Sequence, residues 1–378
     1  MARGRVPRQT TQVYFVDQEA LIPEGHPIRR VKPMVDEVLR SMHRLFDGAY
    51  APDGRLSIPP ERLLKAMLLM ALFSVRSERQ VVEQLGYNLL FRWFLDMNPD
   101  EPVFDATTFT KNRERFEQAG ITRAFFERIV ALGIAQGLVS DEHFTVDGTL
   151  IASYASFKSL RPIESPDEKV SDGSDDGDGG NPSVNFRGER RSNATHRSLT
   201  DPQARLARKS QGGSTMLAHS AHALMENRHG LIVDFEVDQA DGTAERRNAL
   251  LMVKRVRRRH QLMVACLGAD AGYDDGAFLA ELEHQEVTPH VALRKGAIRL
   301  RSPQARARWR MRLRQRGIGY QLSQRKRKLV EEIFGWGKVV GGLRRARHAV
   351  RWKIRQCVEM IGAAYNLLRI ARLRPEPS

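Results

Sequence analysis

The sequence predicts an α/β domain, with a mixed sheet flanked by helices, preceded by a small all-α N-terminal domain. Three observations carry this prediction. Apolar side chains recur at the helical period between residues 59 and 118, whereas from His143 onward short β-branched runs alternate with helical segments. The 378 residues are 41% hydrophobic, which is enough for a substantial core. The length is that of two or three domains.

The N-terminal region begins with a polar arm followed by a predicted helix near residues 32–46, and we assign residues 1–48 to it. Pro59 and Pro60 suit the first turn of the next helix. Ser77 and Asn88 are candidate N-caps for two further helices.

The cluster of short helices within residues 49–137 has two interpretations. Such clusters often carry a helix-turn-helix, and they also serve as bundles for packing or assembly. The helix that starts at Thr107 or Thr108 presents Lys111 and Arg115. We expect these two cations to contact DNA phosphate if the cluster binds DNA.

The second domain is predicted over residues 138–373. Residues 143–156 read as two strands about a turn at Gly148, and a second pair is joined at Asn227 to Gly230. The following elements are expected in this order: a helix over 242–260, a strand ending at Asp270, a short helix, a strand near 287–293, and helices over 323–340 and 354–373.

An acidic segment interrupts this domain. Residues 164–178 contain seven acids and one lysine among Gly, Ser and Pro. Such a composition cannot bury enough apolar surface to fold alone, so we predict a disordered insertion around residues 160–190. The spacing of its aspartates does not match a calcium-binding loop.

The positive charge is local. The chain has a net charge of +16, but residues 294–355 contain 21 Lys and Arg against two acids, so the remainder sums to about −3. One interpretation is a basic tail that aids solubility. Apolar and aromatic residues at helical spacing within the block favour a folded surface that binds a polyanion, nucleic acid above all.

The composition also bears on location. Two cysteines exclude a disulfide scaffold and fit a reducing compartment. The first residues lack the apolar core of a secretion signal. The longest apolar stretch, 63–75, is shorter than the roughly 20 residues that span a bilayer. We therefore expect a cytoplasmic protein without a membrane partner.

Three carboxylates are the candidate chemical site. Asp147 and Asp270 each end a predicted strand before a turn, where side chains can face a ligand cleft. Glu331 lies on the basic helix, on the same face as Arg327 and Lys338, which are four and seven residues away. Two Asp and one Glu can hold two Mg²⁺ ions, a pair that serves phosphodiester cleavage and transfer.

Other interpretations of these residues are open at this point. Strand-end aspartates often only cap turns, and a helical Glu beside Arg is often a surface ion pair. Rival acids lie nearby: Asp234, Asp238, Asp241, Asp274, Asp275 and Glu332. A zinc site from Cys266 and the histidines at 196, 219, 222 and 229 lacks a supporting pattern. Trp336 is interpreted as a core residue, with stacking on a DNA base as the alternative.

The stretch from Arg327 to His348, together with TVDGTLI and LGADAGYDD, resembles bacterial insertion-sequence transposases of the DDE type. Within these, the chain resembles the group named after insertion sequence five. The resemblance extends to residues 58–97, to 192–212 and to 223–237, and covers most of residues 50–373.

This resemblance implies an RNase H-like catalytic domain that uses Mg²⁺ or Mn²⁺, with two ions expected. It implies catalytic and metal-binding roles for Asp147, Asp270 and Glu331. In the family's signature a Tyr precedes Arg, Glu and Lys at fixed spacing. Arg327, Glu331 and Lys338 match that signature, whereas Gln324 replaces the Tyr.

The resemblance further implies DNA partners, namely the terminal inverted repeats of the element and its target DNA. A homo-oligomer in the DNA complex and association with the bacterial nucleoid are expected. Arg327 and Lys338 would hold DNA phosphate near the scissile bond. From the charge pattern we add the following cations as DNA-contacting residues: Arg325, Lys326, Arg344 and Arg345. The alternatives are an inactive, transposon-derived DNA-binding regulator and an RNase H-like nuclease that acts on other DNA structures.

Overall fold

The computed structural model describes residues 17–51, 53, 57–163, 183–209, 213–296, 298 and 300–374. The N-terminal region is all helical. Its helices are α1 (Gln18–Leu21), α2 (Pro27–Ser41), α3 (His43–Ala49), α4 (Pro60–Leu72), α5 (Glu78–Tyr87), α6 (Leu89–Phe94), α7 (Thr107–Gln118) and α8 (Ile121–Ala135).

The helix boundaries follow local chemistry. Ser77 and Asn88 cap α5 and α6, because their side-chain oxygens accept hydrogen bonds from the backbone N–H groups of Gln80 and Phe91. Pro60 occupies the first turn of α4, where its missing N–H costs nothing. The single helix predicted near 32–46 is instead two helices, α2 and α3, which meet at Met42.

A mixed sheet follows. Its strands are β1 (His143–Ala152), β6 (Arg205–Ala207), β7 (Met216–Glu226), β8 (Ile232–Gln239), β9 (Cys266–Ala269) and β10 (Thr288–Val291). β1 lies at the centre, antiparallel to β7 and parallel to β9. β8 pairs with β7, and β10 pairs in parallel with β9. This order, β8-β7-β1-β9-β10, is an RNase H-like sheet, and the predicted fold class is confirmed.

Small strands lie beside this sheet. β2 (Leu160–Pro162) pairs with β5 (His196–Ser198), and β3 (Ser183–Phe186) pairs with β4 (Glu189–Ser192). β2, β3 and the start of β4 lie inside the range predicted as a disordered insertion, around residues 160–190, so that prediction is wrong for residues 160–162 and 183–190, which form strands and a turn. The acidic residues themselves, 164–178, lie outside the described residues.

The remaining helices cover the sheet. They are α9 (Ala244–His260), α10 (Gly276–His284), α11 (Pro303–Arg314), α12 (Ile318–Lys326), α13 (Val330–Val339) and α14 (Arg351–Leu373). The helix predicted over 323–340 is divided, because a 3-10 turn at Arg327–Leu329 separates α12 from α13. No helix of the described chain has the length and apolarity needed to cross a membrane.

The predicted turn at Gly148 is wrong. β1 continues through this residue, and Gly148 pairs with His222 of β7. A Cβ at position 148 would lie 3.0 Å from His222 Nδ1. Glycine is therefore used here for the close approach of a neighbouring imidazole and not for a turn.

The N-terminal helices and the sheet share one hydrophobic core. α14 runs through it and contacts α2, α4, α8 and β8. At Gly362 a Cβ would come within 2.7 Å of the Phe235 ring and 3.0 Å of the Phe126 ring. The sheet and the helical region therefore both pack against α14 around Gly362.

Candidate active site

Asp147 and Asp270 lie side by side on two neighbouring strands of the sheet. β1 and β9 are neighbouring parallel strands in which Thr145 pairs with Gly268. Asp147 and Asp270 each come two residues later, so they occupy equivalent positions on the two strands. The topology thus brings together two carboxylates that are 123 residues apart in sequence.

Local hydrogen bonds orient both aspartates. Asp270 Oδ1 accepts a hydrogen bond from Gly272 N–H at 2.8 Å and caps a 3-10 turn, which is the turn-capping role that strand-end aspartates often have. Asp147 Oδ1 accepts from Gly148 N–H at 2.8 Å. Each bond uses one oxygen of its carboxylate. Asp270 directly follows β9, whereas Asp147 lies inside β1 and not at the strand end that the sequence predicts.

The pKa of Asp147 reflects the acids that lie close to it. Loss of water around the half-buried carboxyl, with added repulsion from Asp270 and Glu331, raises the pKa of Asp147 to about 6 against the opposing effects of Gly148 N–H and Arg327. A divalent cation at this point would relieve that repulsion.

Glu331 and Glu332 face different neighbours. Both lie in the first turn of α13, and Glu331 acts electrostatically on Asp147. Glu332 Oε2 instead accepts a hydrogen bond from Arg369 at 3.1 Å. Glu331 forms no ion pair within the described part of the chain.

The rival acids are occupied elsewhere. Asp234 pairs with Arg123 and Arg255. Asp238 pairs with Arg247 and Arg351. The remaining ones behave similarly: Asp241 pairs with Arg247, Asp274 with Arg308, and Asp275 caps α10.

Gln324, which stands where the resembled family has Tyr, links three parts of the site. Its Nε2 donates to the carbonyl oxygens of Ala269 at 3.3 Å and His290 at 2.6 Å, at the ends of β9 and β10. Its Oε1 accepts a hydrogen bond from Arg327 Nε at 3.3 Å. Gln324 therefore fixes α12 to the sheet and holds the guanidinium whose charge acts on Asp147.

Lys338 is a further cation whose charge acts near Asp147. Lys338 Nζ donates to Thr149 Oγ1 at 2.5 Å. Partial burial, together with the nearby charges of Lys209 and Arg344, lowers the pKa of Lys338 despite the attraction of Asp147. Lys209, which the sequence reasoning missed, thus belongs to the same basic group. No sequence signal marks it, since it lies outside the basic block.

The basic block divides into paired and exposed charges. On α11, Arg308 pairs with Asp274, and Arg310 and Arg314 pair with Glu283. Arg325, Lys326 and Arg344 are exposed and form no ion pair with the described residues. Arg345 is exposed as well and donates to the Tyr154 carbonyl at 3.4 Å.

Lys111 and Arg115 are both exposed on α7. The Arg115 guanidinium lies 4.4 Å from the centre of the Tyr50 ring and donates to Asn112 Oδ1 at 2.9 Å. Asn112 is buried and also accepts from Tyr50 O–H at 2.8 Å, so its amide is part of the packing. Trp336 is partly buried in the core beside Tyr365, with ring centres 5.8 Å apart.

The residues weighed for zinc have other partners. His219 bonds to Asp201 at 2.8 Å, and His196 to Glu189 at 3.2 Å. Cys266 lies instead near His143 and His290. Burial raises the pKa of the Cys266 thiol to about 12, and both ring nitrogens of His143 already bond to Ser323 and Asn227.

Glu245 is the main residue that sequence reasoning missed. It lies in the first turn of α9, and its charge and those of Asp270 and Asp147 repel one another. Nothing in its sequence setting separates it from an ordinary acid at a helix N-terminus. The four acids Asp147, Glu245, Asp270 and Glu331 supply hard oxygen donors, which are the ligands that Mg²⁺ and Mn²⁺ prefer.

Comparison with known families agrees with this geometry. A family described as Transposase domain (DUF772) matches residues 16–115, and one described as Transposase DDE domain matches residues 193–367. No curated protein matches the chain.

One solved structure that matches is the "Mos1 transposase paired-end complex with left transposon end", at 13% identity over 78% of this chain and 86% of that chain. Its TM-score of 0.21 is too low to support a conclusion.

Proposed function

We propose that this protein acts on the terminal inverted repeats of its own insertion sequence. The chain belongs to the DDE transposases, a family of DNA-cutting and strand-transferring enzymes that use divalent metal ions. It would cleave the DNA at those ends and join the freed ends to target DNA. The proposal includes membership of the group named after insertion sequence five, two Mg²⁺ ions, and a homo-oligomer on DNA. The observation that carries it is the equivalent placement of Asp147 and Asp270 on neighbouring parallel strands, with Glu331 and Arg327 acting on Asp147.

Asp147, Asp270 and Glu331 are the residues that would hold the metal. When bound, the ions would activate the attacking oxygen and stabilise the leaving oxygen of the phosphodiester. β1 and β9 place the two aspartates, and the hydrogen bonds from Gly148 and Gly272 N–H fix their orientation. Positioning and charge neutralisation then supply most of the rate enhancement.

Arg327 and Lys338 would hold the DNA phosphate on either side of Asp147. Gln324 keeps the Arg327 guanidinium in place, and Thr149 keeps the Lys338 ammonium near the strand. The exposed cations Arg325, Lys326, Arg344 and Arg345 would extend this surface along the DNA backbone, and Lys111 and Arg115 would add contacts from α7. We also propose that the protein is soluble and associated with the nucleoid.

The experiment uses duplexes that carry the inverted repeats flanking the gene. The full chain with Mg²⁺ should cut these duplexes at the repeat end and join the freed 3′-hydroxyl to a second DNA. Scrambled duplexes should remain intact. Specific binding without any cutting would instead indicate a DNA-binding regulator. Equal cutting of scrambled or branched DNA would indicate an RNase H-like nuclease that acts on other DNA structures.

A further inference from the structure

The two oxygens of Glu245 lie close to Gly148 and Gly272, two glycines that follow Asp147 and Asp270 in the chain. A Cβ at position 148 would lie 3.4 Å from Glu245 Oε1. A Cβ at position 272 would lie 3.2 Å from Glu245 Oε2 and 3.0 Å from Asp270 Oδ1. The two carboxylates therefore border one small space, which the glycine at position 272 leaves open.

Glu245 has little ionic compensation within the described chain. Glu245 forms no ion pair there, and Arg246 acts on it only through its more distant charge. A third carboxylate placed beside two others costs free energy, because like charges at short range repel. The dipole of α9 stabilises an acid anywhere in the first turn, so the dipole alone gives no reason for Glu245 to lie beside Asp147 and Asp270.

Two buried polar groups point to the same place. Tyr273 is 1% exposed, its hydroxyl has no hydrogen-bond partner, and the charges that surround it are those of Glu245, Asp147, Asp270 and Arg327. His222 is fully buried, and its unpartnered Nδ1 lies 3.0 Å from the Cβ position of residue 148. Buried donors and acceptors are rarely left without a partner, so these groups indicate a polar ligand at the carboxylates.

We propose that Glu245 is a fourth metal-binding carboxylate of this centre, beside Asp147, Asp270 and Glu331, and that the Tyr273 hydroxyl donates a hydrogen bond within it. The proposal rests on the proposed function, since it assigns a further ligand to the same metal site. It gives the protein a four-acid centre in which α9 supplies a ligand, so the position of α9 governs metal binding.

The test measures Mn²⁺ binding to the full chain without DNA, by titration calorimetry and by the electron paramagnetic resonance signal of free Mn²⁺. Glu245→Gln keeps the side-chain shape and should weaken Mn²⁺ binding by about 10- to 100-fold. Glu332→Gln is the matched control, because Glu332 lies one residue from Glu331 but bonds to Arg369. That control should bind Mn²⁺ like the parent.

A second readout is the melting temperature in EDTA. Glu245→Gln should raise it, because the substitution removes a repelled carboxylate. A parent-like Mn²⁺ affinity, or a lower melting temperature in EDTA from loss of a helix-dipole contact, would overturn the proposal.

Asp147→Asn separates the two hypotheses. If Asp147→Asn weakens Mn²⁺ binding and Glu245→Gln does not, only the role of Glu245 fails. If neither substitution changes Mn²⁺ binding, the proposed metal site fails as well.

Discussion

At the scale of single residues, Gln324 decides how the site is held together. It replaces the Tyr of the resembled signature, yet it joins Arg327 to the ends of β9 and β10. An amide can bond to two carbonyls and one guanidinium at once, which a phenol cannot. The departure in sequence therefore accompanies a specific set of contacts.

Gln324→Ala should reduce the rate of end cleavage by about tenfold while leaving DNA affinity unchanged, because a misplaced Arg327 loses its effect on the reacting phosphate. Single-turnover cleavage and equilibrium binding on the same duplex provide the measurement. Gln321→Ala, at an exposed position of the same helix, is the control. Equal loss in both variants would show that Gln324 has no positioning role.

Glu359 provides a pH-dependent prediction outside the site. Burial raises the pKa of this carboxyl from 4.5 to about 7, in spite of the attraction of Arg123. The folded state therefore favours the protonated form, and the resulting stability is present below about pH 4.5 and lost as the pH rises through 7. Glu359→Gln should melt a few degrees higher than the parent at pH 8. At pH 4.5 the two should melt alike, so a pH-independent difference would contradict the assignment, and exposed Glu114→Gln is the control.

At the scale of elements, local sequence patterns predict the positions of Asp147 and Asp270 but not the roles of Gly148 and Glu245. Asp147 and Asp270 were recognised because each ends a β-branched run, and the parallel pairing of β1 with β9 lies beyond any local pattern. Gly148 was read as a turn, although β1 needs it for the approach of His222. Glu245 was missed because its role depends on where α9 packs, which its own sequence does not encode.

Exposed cations lie on α12, at Arg325 and Lys326, and on the segment after α13, at Arg344 and Arg345. The latter segment is fixed to β1, since Ala152 N–H donates to the Arg344 carbonyl and Ala346 N–H donates to the Ala152 carbonyl. Substituting Arg325, Lys326, Arg344 and Arg345 with Gln should reduce the slope of DNA affinity against salt by roughly one for each lost phosphate contact. The matched control is Arg310→Gln with Arg314→Gln, since both guanidinium groups pair with Glu283. An unchanged slope in the fourfold variant would return those charges to the solvated surface.

At the scale of the whole molecule, one core joins the helical region to the sheet through α14. The sequence predicted both regions from their periodicity, but their shared core depends on contacts between distant segments. Gly362→Val should lower the melting temperature by several degrees, because its side chain would clash with the Phe235 and Phe126 rings. We expect one cooperative transition by circular dichroism for both regions.

Gly335→Ala is the control for this prediction. A Cβ at position 335 meets nothing within 4 Å, so the substitution should keep or slightly raise the melting temperature. Separate melting of the two regions, or no effect of Gly362→Val, would contradict the single-core description.

The central claim is that Asp147, Asp270 and Glu331 form the metal-dependent site of a transposase. The most direct measurement is Mg²⁺-dependent cleavage of inverted-repeat duplexes by Asp147→Asn, Asp270→Asn and Glu331→Gln, with Glu332→Gln as the control. The three variants should bind the ends like the parent and show no cleavage, while the control cuts normally. Retained cleavage in any of the three variants would contradict the role assigned to that residue.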